Sequence, residues 1–256
     1  RLHPPLHGTG VGAGERGGGP VILFDGRGIV LDVEGTTSSI SFVYDVLFTF
    51  AKERVGDFLA ARAGDREVAA LLPAILAEAG DPATDGEPIA PARAAAAAME
   101  LMRRDAKFGP LKDLQGRIWR SGFESGELVA HVFDDVPGAL SAWSESGLDV
   151  RIYSSGSVEA QKLFFGHTAA GDLLPCLRGH YDTVTGPKRE TESYTKIAAD
   201  MGLDPRQVLF VSDVGEELDA ARRAGMQTAL AERPGNRAAT SVFEHPAVTT
   251  FADIVT

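Results

Sequence analysis

The sequence predicts an α/β protein with a mostly parallel, Rossmann-like sheet, helices on both faces of that sheet, and an inserted helical segment. Three observations lead to this prediction. The short apolar run Gly28–Leu31 is typical of a parallel strand that is buried on both faces. Residues 40–130 place apolar side chains at helical spacing and contain no run typical of a buried strand. From Asp134 onward, helical and strand patterns alternate, which favours parallel strands joined by helices.

The first strand and the insertion are predicted as follows. Gly28–Leu31 stops at two acids and a glycine. Apolar residues then recur at helical intervals: Phe42, Val46, Leu47, Phe50, Ala51, Val55, Phe58 and Leu59. Residues 80–91 are rich in Pro, Gly and Asp, which predicts a loop. The alanine-rich stretch 94–102 is a strong helix former, and 111–123 has the pattern of a further helix.

The alternating half of the chain predicts helices and strands in turn. The predicted helices are 137–146, 158–165, 193–201 and 216–224, and the predicted strands are 150–153, 208–212 and 227–230. Ser157 is a suitable N-cap for the second of these helices. Acidic residues open the last one, where they favour the positive end of the helix dipole. The strand 208–212 is a short apolar run, typical of the interior of a parallel sheet, and Val150, Ile152 and Tyr153 indicate the strand 150–153.

These patterns divide the 256 residues into three parts. Residues 1–20 are rich in Gly, Pro and His and are expected to form a disordered leader. Residues 21–39 and 131–256 are expected to form the core, and residues 40–130 the helical insertion. The run Val21–Phe24 also ends in an acid, but Arg27 stands where a second carboxylate would be needed. We therefore interpret Asp25-Gly26 as a turn that leads into the first strand.

Composition excludes several classes of function. A net charge of −11 disfavours a nucleic-acid-binding surface. No apolar run approaches the roughly 18 residues that a membrane span needs. The single cysteine, Cys176, excludes an internal disulfide and fits a reducing compartment, so a cytoplasmic location is expected. The net charge does not exclude a phosphate substrate, because exposed charges are screened beyond roughly 8 Å at physiological salt.

The residues that could carry chemistry follow the predicted strands. Asp32 and Glu34 end the first strand, where Asp32 could act as a carboxylate nucleophile and Glu34 could move a proton. Ser154 and Ser155 follow the second strand and precede a helix, a position suited to phosphate oxygens. Taken singly, these features are also typical of an acidic turn and of a serine N-cap.

Two further segments complete the pattern. Gly186-Pro187-Lys188 places a lysine in a turn, where a lone lysine is usually solvated surface. Asp213 ends the strand 208–212, and Glu217 follows four residues later. By itself, that arrangement is also typical of a strand followed by the acidic first turn of a helix. The order of all the segments is more specific than any one of them.

Asp-x-Glu-Gly-Thr, Ser-Ser-Gly-Ser, Lys and Ser-Asp, in this order, resemble the four motifs of the haloacid dehalogenase-like phosphohydrolases. That superfamily ordinarily has Asp-x-Asp in the first motif, so Glu34 is a departure that points to one branch. DVEGTTSSISFVYDVLF, IYSSGSVEAQKLFFGH, GHYDT with GPKRETESYTKIA, and LFVSDV with RPGN are similar to the enolase-phosphatases, or acireductone synthases, of methionine salvage. The resemblance extends from about Gly28 to Ala231, with the alanine-rich middle poorly matched.

The resemblance implies roles for these residues. One Mg²⁺ per chain would be held by Asp32, by the main-chain oxygen of Glu34 and by Asp213, with Glu217 orienting the ligands. Asp32, Glu34 and Lys188 would be catalytic, and Ser154, Ser155 and Lys188 would bind the phosphate. The insertion would be a cap that closes over the site. The resemblance also implies a small phosphorylated substrate and a monomer.

Several points stay open from the sequence. The base for enolisation is not identified, although Glu34 is a candidate. Phe42, Tyr44 and Trp119 could receive a methylthio tail, but aromatic residues at helical spacing more often belong to a core. Two alternative functions are another phosphomonoesterase of the same superfamily and a phospho-accepting signalling module. The long helical insertion after Asp32 disfavours the signalling module.

Overall fold

The computed structural model describes residues 21–84, 86 and 88–256, and the expected leader, residues 1–20, lies outside them. The strands are β1 (Ile22–Leu23), β2 (Gly28–Leu31), β3 (Asp149–Tyr153), β4 (Gly179–Tyr181), β5 (Val208–Ser212), β6 (Gln227–Ala231), β7 (Ala247–Val248) and β8 (Ile254–Val255). Six of them form one parallel sheet in the order β4-β3-β2-β5-β6-β7. This order makes β2, an early strand in the chain, a central strand of the sheet.

The helices are α1 (Phe48–Arg62), α2 (Arg66–Ala69), α3 (Leu72–Glu78), α4 (Pro91–Arg103), α5 (Gly109–Ser125), α6 (Val136–Glu145), α7 (Val158–Gly166), α8 (Thr191–Met201) and α9 (Gly215–Arg223). A wide π-helical turn, Phe42–Leu47, leads directly into α1. No helix in the described part of the chain is long and apolar enough to cross a membrane.

The sheet is covered by helices on both faces because side chains alternate along β2. Ile29 and Leu31 pack into one core with residues of α6 and α7, including Leu140 and Phe165. Val30 points the other way, into a second core with residues of α8 and α9. All four residues of β2 are buried, as expected for a strand covered on both faces. The predicted fold class is thus confirmed.

Five of the helices between β2 and β3 enclose a core of their own. Apolar side chains of α1 to α5 form a separate buried cluster, which includes Val55, Leu59, Leu76, Leu101 and Leu114. Helices α1 and α4 pack against each other, and α5 also contacts α7 of the sheet-containing part. No strand occurs among the described residues of this segment, in agreement with its periodicity.

Register places the ends of three strands together. Leu31, the last residue of β2, pairs with Ile152 of β3 on one side and with Val211 of β5 on the other. The strands are parallel, so their carboxyl ends meet at one edge of the sheet. That edge is where open α/β sheets bind ligands.

The shortest strands differ from the sequence-based expectations. Ile22–Leu23, interpreted above as part of a segment before the first strand, forms β1 and pairs in parallel with β8 in a separate two-stranded sheet. The run before Asp25-Gly26 thus contains a short strand of its own. The strands β4, β7 and β8 were not predicted, because two or three residues carry too little periodicity to be recognised.

Candidate active site

Asp32 occupies the centre of the sheet edge, immediately after β2. Its backbone N–H donates to the carbonyl of Val211 at 3.0 Å, which extends the pairing of β2 with β5 by one residue. The carboxylate is 5% exposed. One of its oxygens accepts the backbone N–H of Val33 at 2.7 Å, and the other accepts the Ser212 hydroxyl at 3.2 Å. These contacts fix the carboxylate in one orientation.

Lys188 is brought against this carboxylate from a distant loop. Its Nζ lies 2.7 Å from Asp32 Oδ1 and 2.6 Å from Glu217 Oε2. Burial of the ammonium disfavours its charge, but the two carboxylates outweigh that effect and raise the pKa of Lys188. Lys188 is therefore a buried cation beside Asp32, and the interpretation of it as solvated surface does not apply.

The loop that carries Lys188 is fixed by main-chain hydrogen bonds. The Tyr194 hydroxyl donates to the carbonyl of Lys188 at 2.6 Å, and the Ser193 hydroxyl donates to that of Pro187 at 2.8 Å. The Tyr153 hydroxyl, on β3, donates to the carbonyl of Gly186 at 2.9 Å. Gly186 has a φ of +154°, and a Cβ there would overlap the Ser193 hydroxyl. The turn thus aims Lys188 at the sheet edge.

Asp213 and Glu217 follow β5 on the same edge. Burial, and then the charge of Asp32, raise the pKa of Asp213 to about 7. The same two causes raise the pKa of Glu217 to about 7, although Lys188 opposes the shift. The Ser212 hydroxyl lies 3.1 Å from Glu217 Oε2 and accepts the Val214 N–H at 3.1 Å. Negative charge therefore exceeds positive charge at this edge.

Glu34 and Gly35 begin the loop beyond Asp32. Burial, and then Asp32, raise the pKa of Glu34, while Lys188 and Lys107 lower it. Gly35 adopts a φ of +70°, and its N–H donates to the carbonyl of Ser38 at 2.7 Å. A Cβ at this position would overlap the Asp213 carboxylate. Glycine is therefore required both by the backbone conformation and by the close approach of Asp213.

Ser154 and Ser155 follow β3, across the sheet edge from Asp213. The Ser154 side chain is buried, and its Oγ accepts the Gly156 N–H at 3.2 Å. Ser155 is exposed. Ser157 caps α7 by accepting the Ala160 N–H at 3.2 Å, as the sequence indicated. The serine loop is consequently held at the amino end of a helix, where backbone N–H groups favour an anion.

A cavity of about 990 Å³ opens in front of these residues. Glu34, Ser154 and Ser155 line it from the sheet edge, and the opposite wall comes from the helices of residues 42–125. Tyr44 and Trp119 also line it, whereas Phe42 instead packs against Phe164 with ring centroids 5.9 Å apart. The cavity thus connects the cluster of acids to the helical segment.

Comparison with known proteins places the chain in a family. The model of the haloacid dehalogenase-like hydrolases matches residues 27–225. Over 229 residues the chain is 48% identical to "Enolase-phosphatase E1" of Pseudomonas aeruginosa (strain UCBPP-PA14), which covers 90% of this chain and 98% of that protein. This chain belongs to the enolase-phosphatase family of haloacid dehalogenase-like hydrolases. The family predicted from the motifs is therefore confirmed.

Other proteins are similar to this chain in sequence or in structure. "Enolase-phosphatase E1" of Drosophila mojavensis is 49% identical over 214 residues, 81% of this chain and 86% of that protein. The crystal structure of the UTR4 protein of Saccharomyces cerevisiae superposes with a TM-score of 0.74 at 34% identity, covering 88% of this chain and 98% of that one. A dehalogenase structure at 17% identity and a TM-score of 0.53 shares the fold alone.

In this enolase-phosphatase, the predicted site residues fall into two groups. Asp32, Lys188 and Glu217 are in direct contact, and Asp213 lies against the loop that begins at Gly35. Ser154, Ser155 and Glu34 line the cavity.

Sequence reasoning did not identify two residues that hold the loop after Asp32. Arg233 is 6% exposed, donates to the carbonyl of Thr36 at 3.0 Å, and forms an ion pair with Asp135 at 2.9 Å. Asn236 donates to the carbonyl of Gly35 at 2.8 Å. Both belong to the RPGN segment that contributes to the family resemblance, and that segment was the only signal available for them.

The atoms at the sheet edge that could bind a metal ion are oxygens, which are the ligands that Mg²⁺ prefers. Asp32, Glu34, Asp213 and Glu217 outnumber the single ammonium of Lys188, so full ionisation would leave a net charge of −3. The buried Oδ1 of Asn236 has no hydrogen-bond partner. In the described residues, no three His, Cys, Asp or Glu side chains form a metal-holding group by themselves. Two side-chain carboxylates with a main-chain oxygen and water fit a magnesium ion, which keeps several waters.

Proposed function

We propose that this chain is a bifunctional enolase-phosphatase. It converts 2,3-diketo-5-methylthiopentyl-1-phosphate to an enol phosphate and then to acireductone, in L-methionine salvage. The observation that carries this proposal is the buried contact of Lys188 with Asp32, two residues before Glu34, which lines the same cavity as Ser154 and Ser155. An acid that can act as a nucleophile, a cation fixed beside it and a serine loop suited to phosphate together support phosphoryl transfer as the reaction. The identity of almost half of all residues with named enolase-phosphatases supports the substrate.

The phosphatase half follows from the placement of Asp32. An attacking carboxylate must approach a phosphate dianion that repels it, so neutralising charge is the main catalytic task. Lys188 supplies a fixed positive charge 2.7 Å from Asp32 Oδ1. Ser154 and Ser155 bind the phosphate oxygens, and Asp32 attacks phosphorus to form an aspartyl phosphate as the alcohol leaves. Water then hydrolyses the aspartyl phosphate and releases inorganic phosphate.

One Mg²⁺ per chain belongs to this proposal. Asp32, the main-chain oxygen of Glu34 and Asp213 would hold it, and Glu217 would orient these ligands through Ser212 and Lys188. When bound, the ion would offset the negative charge of the phosphate and polarise the substrate oxygens. The excess of acids at the sheet edge and the unpartnered Asn236 Oδ1 support a cation at this position.

The enolisation half needs a base near the carbon that bears the phosphoester. Glu34 lies at the edge of the cavity, and burial raises the pKa of its carboxyl, which makes it a stronger proton acceptor than an ordinary glutamate. Glu34 is therefore our candidate base. Residues 40–130 act as the cap over this chemistry, which is supported by their separate core and by the wall that they provide to the cavity.

The remaining parts of the proposal concern the setting of the enzyme. We expect a monomer in the cytoplasm, with a small phosphorylated molecule as its only substrate class. The single cysteine and the family resemblance support this expectation. The net charge of −11 supports the absence of a nucleic-acid partner.

The decisive experiment is to incubate the full chain with the diketo phosphate and Mg²⁺. Absorbance of the conjugated enol and release of inorganic phosphate are followed separately. The proposal expects the enol to appear first and phosphate to follow. Phosphate release without an enol would instead indicate another phosphomonoesterase of the same superfamily. A protein phosphate that persists for hours without turnover would indicate a phospho-accepting module.

A further inference from the structure

Basic side chains on the helical wall of the cavity have not been assigned a role. Five of them line it: Arg62, Lys107, Lys112, Arg117 and Arg120. The three arginines are engaged with carboxylates. Arg62 pairs with Asp65, Arg117 with Glu67 and Asp113, and Arg120 with Glu159 of α7. The arginines therefore stabilise the helical wall through ion pairs, whereas these contacts do not account for the two lysines.

Lys107 is only weakly paired, so its ammonium is available to bind a ligand. Its one ion pair within the described part of the chain is with Asp105, at 3.8 Å, and both side chains are exposed. Exposed pairs of this kind contribute little, typically less than about 1 kcal/mol. A substrate group can therefore displace Asp105 from Lys107 at small cost.

The backbone directs Lys107 towards the cavity. Helix α4 ends in a tight turn, in which the Ala106 N–H donates to the carbonyl of Leu101 at 3.0 Å. Asp105, in that turn, has a φ of +51° and is the only described residue other than glycine with positive φ. Helix α5 begins again at Gly109. Lys107 is thus fixed on a short connection between two packed helices.

Lys107 and Glu34 line the same cavity. The charge of Lys107 contributes to lowering the pKa of Glu34, as does the charge of Lys188. The electrostatic relation between Glu34 and Lys107 agrees with the cavity lining.

The position of the phosphate determines what Lys107 can reach. If Lys188, Ser154 and Ser155 hold the phosphate at the sheet edge, the rest of the substrate extends into the cavity towards the helical wall. The next groups along the substrate are the two carbonyls of the diketone. Their oxygens gain negative charge when the adjacent carbon loses its proton, and a nearby ammonium stabilises that charge.

We propose that Lys107 is a substrate-binding residue that donates a hydrogen bond from its Nζ to a carbonyl oxygen of the diketone. This contact stabilises the enolate oxygen and selects substrates that carry a carbonyl next to the phosphoester carbon. The inference rests on the proposed function, because it assumes the diketo phosphate as substrate. It assigns the cap a direct part in the enolisation half of the reaction.

The test compares Lys107→Met, Lys107→Arg and a matched control, Lys52→Met. Lys52 is an exposed lysine on α1 that does not line the cavity. Enolisation of the diketo phosphate is measured by absorbance, and inorganic phosphate is used as a competitive inhibitor to report on the phosphate site. We expect Lys107→Met to lower kcat/KM for enolisation by about 100-fold, the effect of removing one oxyanion donor. The inhibition constant for phosphate should change by less than about twofold, and Lys107→Arg should recover part of the rate.

Each other outcome overturns a specific claim. Unchanged enolisation in Lys107→Met would refute the inference while leaving the proposed function intact. A parallel weakening of phosphate inhibition would show that Lys107 binds the phosphate instead. A wild-type chain that does not act on the diketo phosphate would refute the proposed function and this inference together. An equal loss in Lys52→Met would attribute the effect to general loss of surface charge.

Discussion

The Ser212 hydroxyl lies 3.1 Å from Glu217 Oε2 and also 3.2 Å from Asp32 Oδ2. Ser212 has one hydroxyl proton, so it can donate to only one of the two carboxylates at a time. Burial, and then the charge of Asp32, raise the pKa of Glu217 to about 7, although Lys188 and the Ser212 hydroxyl oppose the shift. Ser212 thereby connects the proposed nucleophile to a group that titrates near neutral pH.

The raised pKa predicts how stability depends on pH in the absence of divalent ions. Between its ordinary pKa of 4.5 and the folded value of about 7, Glu217 keeps a proton that the unfolded chain releases. The free energy of unfolding therefore falls as pH rises through this window, by at most about 1.4 kcal/mol per pH unit for one proton. Glu217→Gln should lose this component. Urea unfolding between pH 4.5 and 8 in EDTA measures this pH dependence. Glu216→Gln is the control variant, in which the free energy of unfolding should depend on pH as it does in the wild type.

Asp32→Asn should abolish phosphatase turnover while retaining the fold. Asparagine can still accept the Ser212 hydroxyl but cannot attack phosphorus, so we expect a loss on the order of 10⁴-fold or more in kcat. Phosphate release measures activity, and circular dichroism measures folding. Asp25→Asn, which changes the acid after the other short apolar run, should leave turnover unchanged. Appreciable turnover in Asp32→Asn would contradict the nucleophilic role.

Lys188→Met should impair both phosphate handling and stability. Methionine has a similar length but no charge, so Asp32 and Glu217 lose their buried partner. Removing one member of a buried ion pair typically costs about 3–5 kcal/mol. Urea unfolding and the KM for substrate are the measurements, with Lys196→Met, an exposed lysine on α8, as the control. A variant with wild-type stability and KM would remove Lys188 from the site.

EDTA should inactivate the enzyme reversibly. The carboxylates of Asp213 and Glu217 have pKa values that are raised by burial and then by Asp32, and the positive charge of nearby protein groups does not balance the negative charge at the sheet edge. A bound Mg²⁺ would supply the missing positive charge. Adding Mg²⁺ after EDTA should restore activity and raise the unfolding temperature, since an ion that binds only the folded chain stabilises it. Asp213→Asn should weaken this thermal shift. Full activity in EDTA would contradict the magnesium site.

Arg233→Ala should destabilise the fold and loosen the loop after Asp32. The change leaves Asp135 without its partner and the Thr36 carbonyl without its donor. We expect a loss of about 3–5 kcal/mol in the free energy of unfolding. Arg233→Lys should recover part of it, because a single ammonium cannot replace the planar guanidinium contacts. A loss below about 1 kcal/mol in Arg233→Ala would show that the loop is held by other contacts.

The sequence predicted the elements that have strong local patterns. The strands β2 and β5 are apolar runs, and Val150, Ile152 and Tyr153 mark β3, so the acids and serines at their ends were recognised as candidates. The strands β4, β7 and β8 were missed because each has only two or three residues. Arg233 and Lys107 lie in connections between elements, where no periodicity marks a functional side chain. Their placement depends on tertiary packing, which one sequence does not reveal.

The central position of β2 also constrains how the chain folds during synthesis. Both neighbours of this fully buried strand, β3 and β5, leave the ribosome only after the long helical segment has been made. Until then the nascent chain exposes an apolar strand with two unpaired edges, which invites aggregation. The helical segment has a separate core and can fold before β3 and β5 are made. The pairing of β2 with these strands would then be delayed until synthesis of the segment is complete.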